Sequence, residues 1–114
     1  MTLKDVVGKL DMRIETAEEG LQKEVTGGYV SDLLSDVMAQ SKPGDLWVTL
    51  QAHPNIVAVA TLKDLAGIVI VQGRKPEEET LKKAQQEDIP ILVSNLQAFE
   101  IVGRLYQMGI SGMR

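Results

Sequence analysis

The chain has 114 residues, 44% hydrophobic and 25% charged, with a formal net charge of −4, one histidine and no cysteine. That length fits a single domain over residues 1–114 with one core, and the balance of apolar and charged residues excludes disorder. The missing cysteine excludes disulfides, thiolate metal sites and a cysteine nucleophile. The negative charge excludes a general nucleic-acid surface, since Arg74-Lys75 runs straight into Glu77-Glu78-Glu79 and few aromatics are available to stack bases.

In chain order, Thr2 starts a helix whose Leu3, Val6, Val7 and Leu10 share one face. This opening reads as an amphipathic helix rather than a secretory leader, and the longest apolar run, Ile68 to Val71, cannot span a bilayer. The expected setting is therefore the cytoplasm, with no membrane partner. Met12-Arg13-Ile14-Glu15 alternates like an edge strand. Val25 to Val30 reads as a strand interrupted by two glycines. Ser31 is expected to cap a helix with an apolar stripe of Leu33, Leu34, Val37 and Met38, and Lys42-Pro43-Gly44-Asp45 is a turn.

From Leu46 onward one grammar repeats three times: a short apolar run, a polar loop, then a helix. The units are Leu46–Leu50 with a helix from Pro54 to about Leu65, Ile68–Val71 with a helix to about Asp88, and Ile91–Val93 with a helix to about Met108. Alternation of this kind predicts an α/β fold with a mostly parallel sheet and right-handed crossovers. Pro54 and Pro76 suit first helical turns, Ser94 and Gln97 read as a capping box, and Gly67 and Gly109 are placed to end helices. Glu78–Lys82 and Glu79–Lys83 are spaced as i,i+4 pairs. Ile56, Val57, Ala58, Val59, Ala60 and Leu62 leave their helix almost no polar face, so a second covering surface is expected, from another subunit in a chain this small.

Ligands of open parallel sheets sit beyond the carboxyl ends of the strands. Those positions hold Thr49, Gln51, His53 and Asn55; Gln72, Gly73 and Arg74; and Ser94 and Asn95. Their chemistry suits a carboxylate, a phosphate or an amide. Thr26, Gly27 and Gly28 are expected to join the same surface, with a β-bulge or tight bend as the alternative. No phosphate-binding loop, nucleophile elbow or zinc-binding helix motif occurs. His53 is an alternative as a general base working with Thr26 or Asp45, or as no more than a cap where the chain enters a helix. A single histidine without cysteine argues against a transition-metal site, and no cofactor is expected.

The stretch Glu24-Val25-Thr26-Gly27-Gly28-Tyr29-Val30-Ser31-Asp32-Leu33-Leu34, followed by Gly44-Asp45-Leu46-Trp47-Val48-Thr49 and His53-Pro54-Asn55-Ile56, resembles the DRTGG domain family over nearly the whole chain. Only Thr26-Gly27-Gly28 match the name motif, with Glu24 and Val25 standing where Asp and Arg would be. DRTGG domains accompany nucleotide-sensing CBS modules in inorganic pyrophosphatases, occur in phosphate acetyltransferases, and are similar to the N-terminal domain of HPr kinase/phosphorylase. The resemblance implies a three-layer α/β/α, Rossmann-like fold, frequent dimerisation and a regulatory or assembly role without activity of its own. The leading expectation is a non-catalytic regulatory homodimer that binds a small anionic metabolite or nucleotide. The alternative is an interaction subunit that docks in trans onto a larger enzyme or kinase-like regulator.

Overall fold

The computed structural model describes residues 1–113. Helix α1 (Leu3–Leu10) leads into strand β1 (Arg13–Thr16) and a 3-10 turn over Glu18–Gln22. Then follow β2 (Gly27–Val30), α2 (Leu34–Gln40), β3 (Asp45–Thr49), α3 (Asn55–Leu62), β4 (Gly67–Ile70), α4 (Glu78–Glu87), β5 (Ile91–Val93) and α5 (Ala98–Gln107). The five strands form one sheet in the order β1-β5-β4-β3-β2, parallel throughout except for β1, which runs antiparallel along β5.

The three crossovers β2→β3, β3→β4 and β4→β5 all step the same way across the sheet, and right-handed crossovers of one direction place their helices on one face. The core confirms it. Val37 of α2, Ile56, Val57 and Ala60 of α3 and Ala84 of α4 pack with Trp47, Ile68, Ile70, Ile91 and Val93. Leu3 and Val6 of α1 and Ile101 and Leu105 of α5 cover the other face with Leu46, Val48, Val69 and Leu92. Alternate residues of each central strand thus enter opposite layers, and β3, β4 and β5 are buried at every position. The result is the expected three-layer α/β/α sandwich.

Several local expectations change. Helix α3 needs no second subunit to cover it: flanked by α2 and α4 over the sheet, it buries Ile56, Val57, Val59 and Ala60, and of its apolar residues only Ala58 and Leu62 face outward. Ser31 does not cap α2. Its hydroxyl accepts from Leu33 N within a turn, and of the predicted stripe only Val37 is fully buried. Ser94 likewise accepts from Leu96 N, and α5 begins after Gln97 with no side-chain cap. Asp64 (φ 54), rather than Gly67, provides the left-handed residue after α3. Gly67 opens β4, where an added Cβ would lie 3.2 Å from Pro90 O and 3.3 Å from Leu3 Cδ1. Glu24 and Val25 belong to no strand with Gly27, because Val25 N donates to Met1 O and Glu24 bridges Thr2. The start of α1 carries a full capping box, Thr2 with Asp5, and these hydrogen bonds hold the Asp5 carboxyl below its ordinary value. No helix of the described residues is long and apolar enough to cross a membrane.

Candidate functional site

The carboxyl ends of β2 to β5 form one row, and a chain running antiparallel beside β5 must begin where β5 ends. Arg13, the first residue of β1, is therefore paired with Val93, the last of β5. Its Nη1 donates to Asn95 Oδ1 at 3.4 Å, while its Nε lies 3.6 Å from Glu15. The sequence reading missed Arg13 as a member of this edge, because only the pairing of β1 with β5 brings it there.

The chain leaves β4 for α4 on one face and leaves β5 for α5 on the other. Neighbouring strands whose connections diverge in this way open a crevice at their carboxyl ends. Gln72 (φ 61) and Gly73 (φ 65) turn the chain there with two successive left-handed residues. Gln72 N donates to Leu96 O at 2.9 Å and Gly73 N to Ser94 O at 2.8 Å, so the two loops are stitched across the crevice. Asn95 lies over Gly73, where a Cβ would stand 2.9 Å from its Oδ1. Arg74, exposed, donates from Nη1 to Leu50 O at 3.1 Å. Two guanidinium groups, on Arg13 and Arg74, thus border the point of divergence, with the Asn95 amide between them. Their extended donor arrays suit carboxylate or phosphate oxygens.

Toward β2 the edge is dominated by Asp32. Its Oδ1 accepts from Thr49 Oγ1 at 2.8 Å and from Leu50 N at 2.7 Å, and its backbone carbonyl accepts from Gln51 Nε2. Thr49 and Gln51 are therefore engaged in fixing the loops. Trp47, buried in the core, donates its indole N–H to Ser31 O at 2.9 Å. His53 Nδ1 accepts from Asn55 N at 3.1 Å, two residues ahead where the chain enters α3; both side chains are exposed. Thr80 Oγ1, fully buried, donates to Ala52 O and ties α4 to this loop.

Thr26, Gly27 and Gly28 do not share the surface. Gly27 pairs with Asp45, the first residue of β3, so this segment lies at the amino end of the parallel strands, across the sheet from the site. Thr26 N donates to Gly44 O at 3.0 Å, and its hydroxyl, 3.4 Å from Pro43 O, sits where a Cβ on Gly44 would be. The pair latches the start of β2 to the turn before β3. The alternative of His53 acting with Thr26 or Asp45 fails on the same ground. Asp45 opens β3 and His53 follows its far end, with about 13 Å of strand between them at 3.3 Å per residue.

Other hollows among the described residues lie away from this edge. One, of about 290 Å³, is bordered by Glu15, Glu18, Glu19 and Gln85. Another, about 430 Å³ and mainly apolar, runs between the free edge of β2 and α5.

The fold has a solved counterpart. The structure of the CBS and DRTGG domains of the regulatory region of Clostridium perfringens pyrophosphatase, complexed with its activator diadenosine tetraphosphate, superposes with a TM-score of 0.72 at 16% sequence identity. The match covers 97% of this chain and 48% of that one, so this chain spans about half its length. No curated protein matches the sequence. The DRTGG domain family model matches residues 5–108, and the chain belongs to the DRTGG domain family.

Proposed function

We propose that this chain is a non-catalytic regulatory domain, working as two copies, that binds a small anionic metabolite or nucleotide at the carboxyl ends of its parallel strands. The observation that carries the reading is the placement of Arg13 and Arg74 on either side of the β4–β5 divergence, with Asn95 between them. Gln72 and Gly73 shape the floor beside Ser94 at the end of β5, and His53 and Asn55 extend the polar row toward α3. The similarity to a pyrophosphatase regulatory region complexed with a dinucleotide polyphosphate supports an anionic ligand of this class. His53 spends Nδ1 on Asn55 N and leaves Nε2 for a ligand.

A thermal-shift panel of nucleotides, dinucleotide polyphosphates, acyl phosphates and carboxylates tests this. A ligand at about 100 times its Kd adds about 2.7 kcal/mol to the native state. The expected result is a stabilising anion whose effect falls in Arg13→Gln and Arg74→Gln and weakens with salt. A flat panel overturns the proposal.

A further inference from the structure

Helix α5 buries Ile101 and Leu105 against the sheet, and its opposite side carries Phe99, Gly103 and Tyr106 at i, i+4 and i+7. Phe99 is 91% exposed and Tyr106 66% exposed. Gly103 lies between them. Glycine inside a helix weakens it relative to alanine, and a Cβ added here meets nothing within 4 Å, so no packing inside the chain requires it. What bare backbone in the middle of an exposed aromatic ridge does permit is the close crossing of another helix, since interaxial distance is set by the side chains at the contact.

The patch is also complementary to itself. A two-fold interface needs a projection and the hollow that receives it on one surface, equally distant from the axis. Phe99 and Tyr106 stand about 5 Å to either side of Gly103 along the helix, at 1.5 Å per residue. Beside Tyr106 lies the apolar groove of about 430 Å³, lined by Val30, Val102, Tyr106, Ile110 and Met113. In an antiparallel α5 pair crossing at Gly103, Phe99 of the second copy comes level with Tyr106, over this groove. The same rotation sets Glu100 of one copy beside Arg104 of the other. Within one chain these two already pair at 2.9 Å, so the axis joins two ion pairs into one network.

We infer that two copies of this chain pair through α5, antiparallel, crossing at Gly103 with Phe99 of each seated in the groove of the other. The inference rests on the two-copy reading above and names its surface. Since the sequence contains no cysteine, Gly103→Cys introduces the sole thiol of the chain. Sedimentation velocity between about 1 and 100 µM, the range of a micromolar dimer, reads the assembly, and mild oxidation reads the proximity of the two α5 helices. The expected results are a dimer for the unaltered chain, a covalent dimer for oxidised Gly103→Cys, and none for Lys82→Cys on the far helix layer. Phe99→Asp should raise the dimer dissociation constant at least about thirtyfold, as removal of a central anchor does. Its melting, read on the dissociated chain, should stay unchanged, because an acidic residue in the first turn of a helix suits the dipole. A dimer that survives Phe99→Asp and leaves the Gly103→Cys thiol uncross-linked overturns this surface while sparing the two-copy reading. A monomer at every concentration overturns both.

Discussion

The Asp32 carboxylate receives the Thr49 hydroxyl at 2.8 Å, and the same oxygen receives Leu50 N at 2.7 Å. One side chain from the loop after β2 therefore fixes the loop after β3, and the two threads are held together at the strand ends by side chain rather than by ladder. Asp32→Ala should leave the Leu50 amide and the Thr49 hydroxyl without that acceptor. A loss of about 1–2 kcal/mol is expected in urea denaturation, typical of a charged acceptor at a partly exposed site. Asp32→Asn, which keeps an acceptor oxygen, should recover about half of it.

Gly73 combines a left-handed backbone with an amide oxygen overhead. Gly73→Ala should cost about 1–2 kcal/mol for the backbone alone. The new methyl also displaces Asn95 from Arg13, so any anion bound at the crevice should lose affinity in the same variant. Unchanged affinity alongside reduced stability would show that Asn95 and Arg13 need not act together.

Gly44 presents a sharper case at the opposite edge. It has φ 84, and its missing Cβ is the space that the Thr26 hydroxyl occupies. Gly44→Ala should destabilise by about 2–3 kcal/mol, the left-handed penalty plus expulsion of the Thr26 side chain. Ligand-induced stabilisation at the strand carboxyl ends should be retained, because the two edges are separated by the length of the sheet. Loss of ligand response would place Thr26 back in the binding surface.

The Tyr29 phenol donates to Asp36 Oδ2 at 2.7 Å, and this hydrogen bond, joined by burial and the carboxylate charge, raises the pKa of the phenol above its ordinary value. A raised value means that the neutral phenol is the form the fold favours. Its stabilising contribution is complete below the unfolded value of about 10 and is lost as pH rises through the folded one. In Tyr106→Phe, which leaves Tyr29 as the sole tyrosine, ultraviolet titration should give a midpoint above 10. Adding Asp36→Ala should bring it down toward about 10. An unmoved midpoint would sink the assignment.

The repeating units from Leu46 onward were legible because β-branched runs, prolines and glycines punctuate them locally, and local signals survive without knowledge of the rest of the chain. Ile68 to Val71 announced a strand covered on both faces, and β4 is buried at every position. Caps were read less well, since the Ser31 and Ser94 hydroxyls each serve a turn two residues ahead rather than a helix, a choice that loop geometry decides. The apolar face of α3 reads as needing a second subunit because its actual cover, α2 and α4, comes from tertiary packing that the residues of α3 alone do not encode. Arg13 was invisible as a site residue for a long-range reason: which strand β1 pairs with, and in which direction, depends on contacts some eighty positions away. The position of Thr26 was available in principle. A residue that precedes a parallel strand stands at the opposite edge from those that follow one.

The hydrogen bond from Trp47 to Ser31 has a practical meaning for all of this. The sequence contains a single tryptophan, fixed in the central part of the sheet with its polar atom tethered to the segment that leads into Asp32. The chain thus carries a native optical gauge. Its emission belongs to one known place, so a shift on adding a metabolite reports rearrangement at the rim rather than a diffuse average over the fold.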